Sequence, residues 1–367
     1  MERSILQVDG LNIYQSTNPF KFENGEEIEQ LVLAYETYGT LNSDKSNVLL
    51  INHAFSTNSH VASHGQNMND GWWEEMVGDG KYIDTSKFYV ICINNLGSCH
   101  GSSSPAGIHS ETHEPYQCNF PAITFDDVVN SQKQLFDYLK INFIHAIIGP
   151  SLGGMISLIW SVKYPKMVNK LITISSSARA YTANNANRAI QREIIMLDPE
   201  WNNGNYGKNP VSGLNTARKL GLYTYRSSKE FNERFHLEHT NNKPKRLQNK
   251  TEEIEKYLDY NANKFTSNFD TNCYLYILQM MDLYDIRNGY TSFKEAFVRI
   301  EADVLVISVN TDRLFQEEQQ REIYEEMAKA GIMVEYVEHA SEHGHDTFLI
   351  ETDLMGKYIQ KFLNKGL

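Results

Sequence analysis

Short apolar runs, bounded by turn residues, recur along the first half of the chain. Loops or helix-like segments separate each run from the next, and uninterrupted apolar runs of this kind are typical of strands that are buried on both faces. We therefore expect an α/β fold with a mostly parallel central sheet and helices on both of its faces. The predicted strands are residues 47–52, 88–94, 145–148 and 171–175.

The same alternation of strand and helix returns near the C-terminus. An apolar run predicts a strand at residues 304–309, and helical periodicity predicts an amphipathic helix at 317–330. A strand at 334–337 and a last helix at 347–363 complete this part of the pattern. Two segments nearer the N-terminus alternate apolar and polar residues as half-exposed antiparallel strands do, namely residues 6–14 and 31–38.

The strand signal disappears in the middle of the chain. Polar stretches there alternate with helix-like segments, which predicts a helical insertion into the α/β core. The expected division is a first core part at 1–178, the helical insertion at 179–295 and a second core part at 296–367. A basic cluster at 243–250 is interpreted as a solvated linker, with contact to phosphate groups as the alternative. The helix-like segments are residues 187–197, 213–220, 228–234, 251–266 and 272–281.

Charge and cysteine content narrow the possible functions. The chain has 367 residues, and 34 Lys and Arg against 46 Asp and Glu give a net charge of −12, which argues against a nucleic-acid-binding protein. The four Cys are scattered without a CxxC pair or a paired Cys/His spacing, so we expect neither a metal site nor disulfides. The N-terminus shows no basic stretch followed by an apolar run, and we expect a cytoplasmic protein.

One stretch without charged residues, 141–162, has the length of a membrane span. However, Gly149, Pro150 and Gly153 interrupt its middle, and its two halves have different periodicities. We therefore interpret this stretch as a buried strand, a tight turn and a buried helix, and we expect no association with a membrane.

The tight turn carries the sequence Gly-Pro-Ser-Leu-Gly, with Ser151 at its centre. A serine on such a turn between a strand and a helix has strained backbone angles and a projecting hydroxyl group. The positions two before and two after this serine come too close to other backbone to bear side chains, which explains Gly149 and Gly153. We predict that Ser151 is a catalytic nucleophile, and a purely structural glycine-rich turn is the alternative.

A serine hydroxyl is a weak nucleophile that needs a base, normally His, and a carboxylate that orients the base. In this strand–turn–helix architecture the chain order is Ser, acid, His. Asp312 is the first acid after the strand at 304–309, and its alternative role is to cap a turn. After the next strand we choose His345 as the base, and we interpret His343 as an exposed neighbour. His53, after the first apolar run, is expected to pack or to orient a loop.

Two backbone N–H groups should stabilise the oxyanion that forms when the serine attacks a carbonyl group. One is assigned to Leu152, because this residue follows the nucleophile at the N-terminus of a helix. The other is expected in the loop after the first apolar run, and we assign it to Phe55.

Several longer motifs are more specific than the serine turn. They are LAYETYGTLN at 33–42, GWWEEMVG at 71–78, NLGSCHGS at 95–102, DPEW at 198–201, DRLF at 312–315, QQREI at 319–323 and GHDTFL at 344–349. These motifs resemble the homoserine O-acetyltransferase family of acyltransferases, which have an α/β-hydrolase fold, and the resemblance covers nearly the whole chain.

The resemblance implies how the site works. It implies a Ser151, Asp312 and His345 triad, an acyl-CoA donor such as acetyl-CoA, no tightly bound cofactor, and homoserine as the acceptor. Homoserine is a zwitterion, so its site needs a cation for the carboxylate and an anion for the ammonium group. The family positions for these contacts are Arg218, Tyr225 and Asp346 in this sequence. The resemblance also implies that the helical insertion at 179–295 is a lid and that a homodimer forms through it.

Three other functions remain open at this point. The same triad could transfer an acyl group to another hydroxyl, such as that of serine, or use succinyl-CoA as the donor. It could also serve an esterase or thioesterase, in which water accepts the acyl group. A catalytically inactive binding module is the least favoured, since such a module has no need of all three triad residues.

Overall fold

The structure, a computed structural model, describes residues 10–235 and 253–366. Eight strands form one twisted sheet with the order β1-β2-β4-β3-β5-β6-β7-β8. Strand β2 is antiparallel to both of its neighbours, whereas β3 to β8 pair in parallel. The strands are β1 (Asn12–Gln15), β2 (Val32–Tyr38), β3 (Val48–Ile51), β4 (Tyr89–Ile93), β5 (Ala146–Pro150), β6 (Lys170–Ile174), β7 (Asp303–Val309) and β8 (Val334–His339).

Alternate residues of the buried strands supply two separate hydrophobic clusters, one on each face of the sheet. Leu50 and Ile147 belong to the cluster that includes helices α1 (Phe125–Tyr138) and α2 (Leu152–Lys163). Their chain neighbours Leu49 and Ile148 belong to the opposite cluster, which the C-terminal helix α11 covers. This is why the strands show no polar face and read as uninterrupted apolar runs.

The remaining helices fall into two groups. Five of them, together with the short α8, lie between β6 and β7 in the chain, and α3 and α7 pack over the carboxyl end of the sheet beside Ser151. They are α3 (Thr182–Met196), α4 (Ser212–Tyr225), α5 (Ser228–Arg234), α6 (Glu253–Thr266), α7 (Thr271–Asp282) and α8 (Phe293–Phe297). The second group follows β7 and comprises α9 (Glu317–Lys329), α10 (Thr347–Ile350) and α11 (Thr352–Leu363).

The predicted fold class is confirmed, and each predicted buried strand occurs within two residues of its expected bounds. The single helix predicted at 347–363 is wrong in detail. The backbone of Glu351, with φ −95° and ψ 51°, breaks it into α10 and α11. The predicted strand at 6–14 begins only at Asn12 within the described residues. The exact limits of the lid remain a prediction.

The uncharged stretch at 141–162 contains β5, the serine turn and nearly all of α2. Among the described residues, no helix is both long enough and apolar enough to span a membrane. The basic cluster at 243–250 lies outside the described residues.

Candidate active site

Ser151 occupies a strained position between β5 and α2. Its backbone has φ 56° and ψ −126°, a conformation that residues other than glycine rarely adopt. Such strain persists only where the surrounding structure enforces it. Here β5 fixes one side of the turn through its parallel pairing with β6, and the Ser151 N–H donates to the carbonyl of Ile174 at 2.8 Å.

The two glycines around Ser151 are required by close backbone contacts. A Cβ atom on Gly149 would lie 2.1 Å from the carbonyl oxygen of Gly153. A Cβ atom on Gly153 would lie 1.9 Å from the carbonyl oxygen of Asn52, at the end of β3. The absence of both side chains therefore lets α2 begin directly against the loop that carries Phe55.

The structure brings the three predicted triad residues into one hydrogen-bonded chain. Nε2 of His345 lies 2.9 Å from Oγ of Ser151, and Nδ1 of His345 lies 2.7 Å from Oδ2 of Asp312. All three residues are buried. They follow β5, β7 and β8, whose carboxyl ends meet at the same edge of the parallel sheet. This geometry is that of an activated serine nucleophile.

Asp312 combines the role of orienting acid with the turn-capping role that was its alternative. Its Oδ2 faces His345, while Oδ1 accepts hydrogen bonds from the N–H groups of Leu314 and Phe315, each at 2.8 Å. Two backbone donors therefore hold the carboxylate in the orientation that fixes the imidazole ring.

The environment of His345 favours its protonated form. Burial by itself lowers the pKa of the imidazole, but the charge of Asp312, its hydrogen bond, and the nearby Asp346 outweigh burial. The pKa of His345 is therefore raised above its ordinary value of 6.5. The imidazolium that forms when Ser151 loses its proton is stabilised by the same interactions.

The two predicted oxyanion donors remain available. In the part of the chain that the structure describes, the N–H groups of Phe55 and Leu152 have no protein acceptor. His53 fixes the loop next to Phe55, since its Nδ1 contacts the carbonyl of Ala54 at 2.8 Å and its Nε2 accepts the N–H of Asn95. Burial lowers the pKa of His53 to about 4, so this ring is neutral and holds a single tautomer.

Side chains from the lid form the wall of a small pocket above Ser151. Phe55 contributes from the core, and α3, α4 and α7 contribute one face each. The pocket is lined by Phe55, Ser151, Asn187, Arg188, Gln191, Gly221, Thr224, Tyr225, Tyr274, Leu278, Met281 and Leu314.

Arg218 is a buried cation behind this wall. Its Nη1 donates to the hydroxyl of Tyr225 at 2.8 Å, and its guanidinium lies over the ring of Phe265, 4.2 Å from the centroid. Its Nε has no hydrogen-bond partner, and within the described ranges no carboxylate forms an ion pair with it. A buried charge is costly unless it is paired, so this arrangement favours an anionic ligand.

Asp346 and His343 face other groups. Asp346 Oδ2 lies 3.0 Å from Nε of Arg226, and burial raises the pKa of Asp346 despite the charge of this arginine. His343 Nδ1 lies 3.3 Å from Glu230 of α5, away from Ser151. The structure thus brings Arg218 and Tyr225 together, while Asp346 has a protein cation as its present partner.

Comparisons with known proteins agree with the architecture of this site. A family model described as the alpha/beta hydrolase fold matches residues 47–352. The chain is 42% identical over 350 residues to a homoserine O-acetyltransferase from Deferribacter desulfuricans, which covers 94% of this chain and 93% of the relative. The chain belongs to the homoserine O-acetyltransferase family.

Two further known proteins are similar to this chain over nearly its whole length. A serine O-succinyltransferase from Litchfieldella anticariensis is 39% identical, over 97% of this chain and 98% of the relative. The crystal structure of a homoserine O-acetyltransferase from Bacillus anthracis superposes with a TM-score of 0.90 at 32% identity, over 96% of this chain and 98% of that one. The family that the sequence motifs indicated is therefore confirmed.

Sequence reasoning missed most of the pocket that this family member builds above its serine. Oε1 of Gln191 on α3 accepts a hydrogen bond from the hydroxyl of Tyr274 on α7, and Arg188 forms an ion pair with Asp282. Helical periodicity places such residues on one face of each helix. It does not tell whether that face meets the core or a ligand, so the sequence alone carried no signal for them.

Proposed function

We propose that the protein is an acyl-CoA-dependent O-acyltransferase that acetylates the side-chain hydroxyl of homoserine. The observation that carries this proposal is the hydrogen-bonded Ser151–His345–Asp312 chain beneath a lid that buries Arg218 without an ion pair to any carboxylate of the described residues. A plain hydrolase has no need of such a buried cation, whereas an amino-acid acceptor brings a carboxylate to pair with it.

In the first step, Nε2 of His345 takes the proton of Ser151 while Oγ attacks the thioester carbonyl. The N–H groups of Phe55 and Leu152 stabilise the oxyanion. The C–S bond then breaks, the CoA thiolate leaves with the proton from His345, and an acyl ester remains on Ser151.

In the second step, the homoserine hydroxyl gives its proton to His345 and attacks the acyl ester. Arg218 pairs with the acceptor carboxylate, and Asp346 exchanges its contact with Arg226 for one with the ammonium group. The ester to Ser151 breaks, and Ser151 regains the proton. Transfer outruns hydrolysis only if the alcohol is held near the ester and water is excluded, which is the role proposed for the lid.

A second candidate keeps the mechanism and changes the substrates. The serine O-succinyltransferase from Litchfieldella anticariensis matches nearly the whole chain, which favours serine as an acceptor and succinyl-CoA as a donor in the alternative. Serine lacks one methylene group of homoserine, so the two acceptors differ in how far the hydroxyl reaches toward Ser151.

The test is CoA release from acetyl-CoA and from succinyl-CoA, each with homoserine, with serine and without acceptor, with products identified by mass spectrometry. We expect release that depends on homoserine and yields O-acetylhomoserine. Ser151→Ala should abolish release, and the exposed Ser86→Ala should leave it unchanged. Equal release without any acceptor, with free acid as the product, would assign an esterase or thioesterase instead.

We also propose that the enzyme acts in the cytoplasm as a homodimer formed through the lid, in a step of methionine biosynthesis. Its co-substrate would be acetyl-CoA, and no tightly bound cofactor is required by the mechanism. Exposed apolar side chains on the lid, among them Ile190 and Leu197, support the dimer, because a partner that covers them removes apolar surface from water.

A further inference from the structure

A second cluster of reactive side chains lies at the loop that follows β3. Glu36 projects from β2, and His60 and His64 lie on this loop, five and nine residues after Phe55. Nδ1 of His60 is 2.8 Å and Nε2 of His64 is 2.9 Å from the same oxygen, Oε2 of Glu36. The three ligand atoms lie within 4.8 Å of one another. None of these residues takes part in the proposed transfer.

The ring of His60 is held from both sides. Its Nε2 faces the carbonyl oxygen of Asn69 at 2.8 Å, and its Nδ1 faces the Glu36 carboxylate. Nδ1 also lies 3.4 Å from Nδ2 of Asn67, whose Oδ1 accepts the Asn69 N–H at 3.2 Å. Nδ1 of His60 is therefore directed at the same Glu36 oxygen that Nε2 of His64 contacts.

The surroundings have the features of a metal site. A ligating histidine commonly donates its other N–H to a backbone carbonyl, as Nε2 of His60 does. Tyr38 and Ser59 orient the carboxylate through hydrogen bonds of 3.0 and 3.1 Å to its two oxygens. The Glu36 side chain is 2% exposed, whereas His60 and His64 are 14% and 17% exposed, which leaves a route from solvent.

We propose that Glu36, His60 and His64 bind one divalent transition-metal ion of the Zn²⁺ class. Two imidazole nitrogens and one carboxylate oxygen are ligands that Zn²⁺ prefers, and a fourth position remains for water. Tetrahedral zinc with bonds of about 2.0–2.1 Å separates its ligand atoms by about 3.3 Å. Binding would require side-chain rotations that open the two contacts at Oε2 by about half an ångström and bring the two ring nitrogens to a similar separation from each other.

The ion would link β2 to the loop that carries Phe55, and it would replace hydrogen bonds by stronger bonds between the same residues. The metal would hold the position of the loop and would not contact the acyl group. The proposal is therefore independent of the proposed function, because Zn²⁺ binding can be measured without any substrate.

The experiment titrates the chelator-treated, dialysed full-length protein with Zn²⁺ by calorimetry. We expect one site per chain in the wild type and, in His64→Gln, a loss of affinity of at least about 100-fold. Loss of an outer-shell partner alone costs about 10–100-fold, and His64→Gln removes a ligand. His113→Gln is the matched control, since His113 is exposed and its side chain is not part of the cluster. His64→Cys, which retains a zinc ligand, should restore binding.

X-ray absorption of the Zn²⁺-loaded wild type supplies a readout that does not depend on the variants folding. Two imidazole ligands and one or more oxygen ligands are expected. The proposal is overturned if the wild type shows no saturable Zn²⁺ site, if His64→Gln binds as tightly as the wild type, or if the spectrum lacks imidazole ligands.

Discussion

Oγ of Ser151 lies 2.9 Å from Nε2 of His345, so this imidazole must be neutral before it can accept the serine proton. The pKa of His345 is raised because Asp312 and Asp346 outweigh burial. As the pH falls through this raised pKa, the base becomes protonated and the rate of transfer falls. Activity should therefore decline on the acid side from above pH 6.5, the ordinary pKa of histidine.

Asp312→Asn tests this assignment. The variant removes the charge and the acceptor that raise the pKa of His345, so we expect the acid limb of kcat/KM to move to lower pH. The plateau should fall by about 10⁴-fold, because the amide no longer enforces the required tautomer. The measurement is a pH–rate profile of CoA release. Asp353→Asn, at an exposed ion pair with Lys357, should change neither quantity. An acid limb that stays in place would show that another group titrates.

Arg218 is proposed to act in only one of the two half-reactions, the transfer of the acyl group to homoserine. It is assigned to the acceptor carboxylate, so acyl transfer from the donor to Ser151 should not need it. In Arg218→Met we expect a rise of about 10–100-fold in the KM for homoserine, because a charge-assisted hydrogen bond is worth about 1.5–3 kcal/mol. The single-turnover burst of CoA without acceptor should keep its rate.

Arg218→Lys should lie between the wild type and Arg218→Met, because lysine keeps the charge and loses the planar, two-pronged donor. Arg234→Lys, at a half-exposed arginine of the lid, is the control and should behave as the wild type. If Arg218→Met slows the burst as much as it raises the KM, the arginine supports the lid and not the acceptor.

Among elements, the contact between α2 and the end of β3 sets the geometry of the site. Gly153 lets the first turn of α2 lie against the carbonyl of Asn52, three residues before Phe55. The same contact therefore positions the nucleophile and the loop that carries one oxyanion donor. A change in the spacing of these two elements must alter both.

Gly153→Ala should be strongly destabilising for this reason. Its Cβ would lie 1.9 Å from a backbone oxygen that no rotamer change can move, and we expect the free energy of unfolding to fall by about 3 kcal/mol or more. Urea unfolding followed by circular dichroism measures this loss. Gly207→Ala is the matched control, because no atom of the described residues lies within 4 Å of its Cβ and the stability should hardly change. Equal stabilities of the two variants would contradict the contact.

At the scale of the whole molecule, chain order explains what could be predicted. Parallel strands end at one edge of the sheet, so Ser151, Asp312 and His345 could be placed together from the order of strands and loops alone. The His60–His64 pair could not be predicted as a site, because it has no paired Cys and Glu36 lies 24 residues before His60 in the sequence. Their convergence depends on the pairing of β2 and on the course of a loop, which no local period encodes.

The helices of the lid could be predicted from the sequence, but the residues that each helix face contacts could not. Helical periodicity located α3 to α7, but the partner of each face depends on how the helices pack together. Arg218 illustrates the limit. A surface helix position was the alternative for this arginine, and the family motif indicated a ligand contact. The structure buries the residue, and within the described ranges its Nε has no hydrogen-bond partner.

The outer side of the lid exposes apolar side chains that do not add to the stability of a monomer, because they stay in contact with water. Ile190 on α3 is 50% exposed, and Leu197, the residue that follows the last residue of α3, is 73% exposed. A spacing of seven residues places both side chains on the same side of the helix. Tyr223 on α4 and Tyr260 on α6 add exposed aromatic rings to the lid. A second copy of the chain would cover such a surface, in agreement with the proposed homodimer.

If the proposed homodimer forms through this surface, Ile190→Glu combined with Leu197→Glu should convert it to a monomer, because burying two carboxylates in an apolar interface costs several kcal/mol for each unpaired charge. Sedimentation velocity at several protein concentrations measures the change in mass. Met333→Glu provides the control, since Met333 is 74% exposed and lies outside the lid, before β8. The dimer should persist in this variant. If the wild type sediments as a monomer at every concentration, the exposed residues of α3 serve another purpose, and the lid must close over Ser151 without support from a partner.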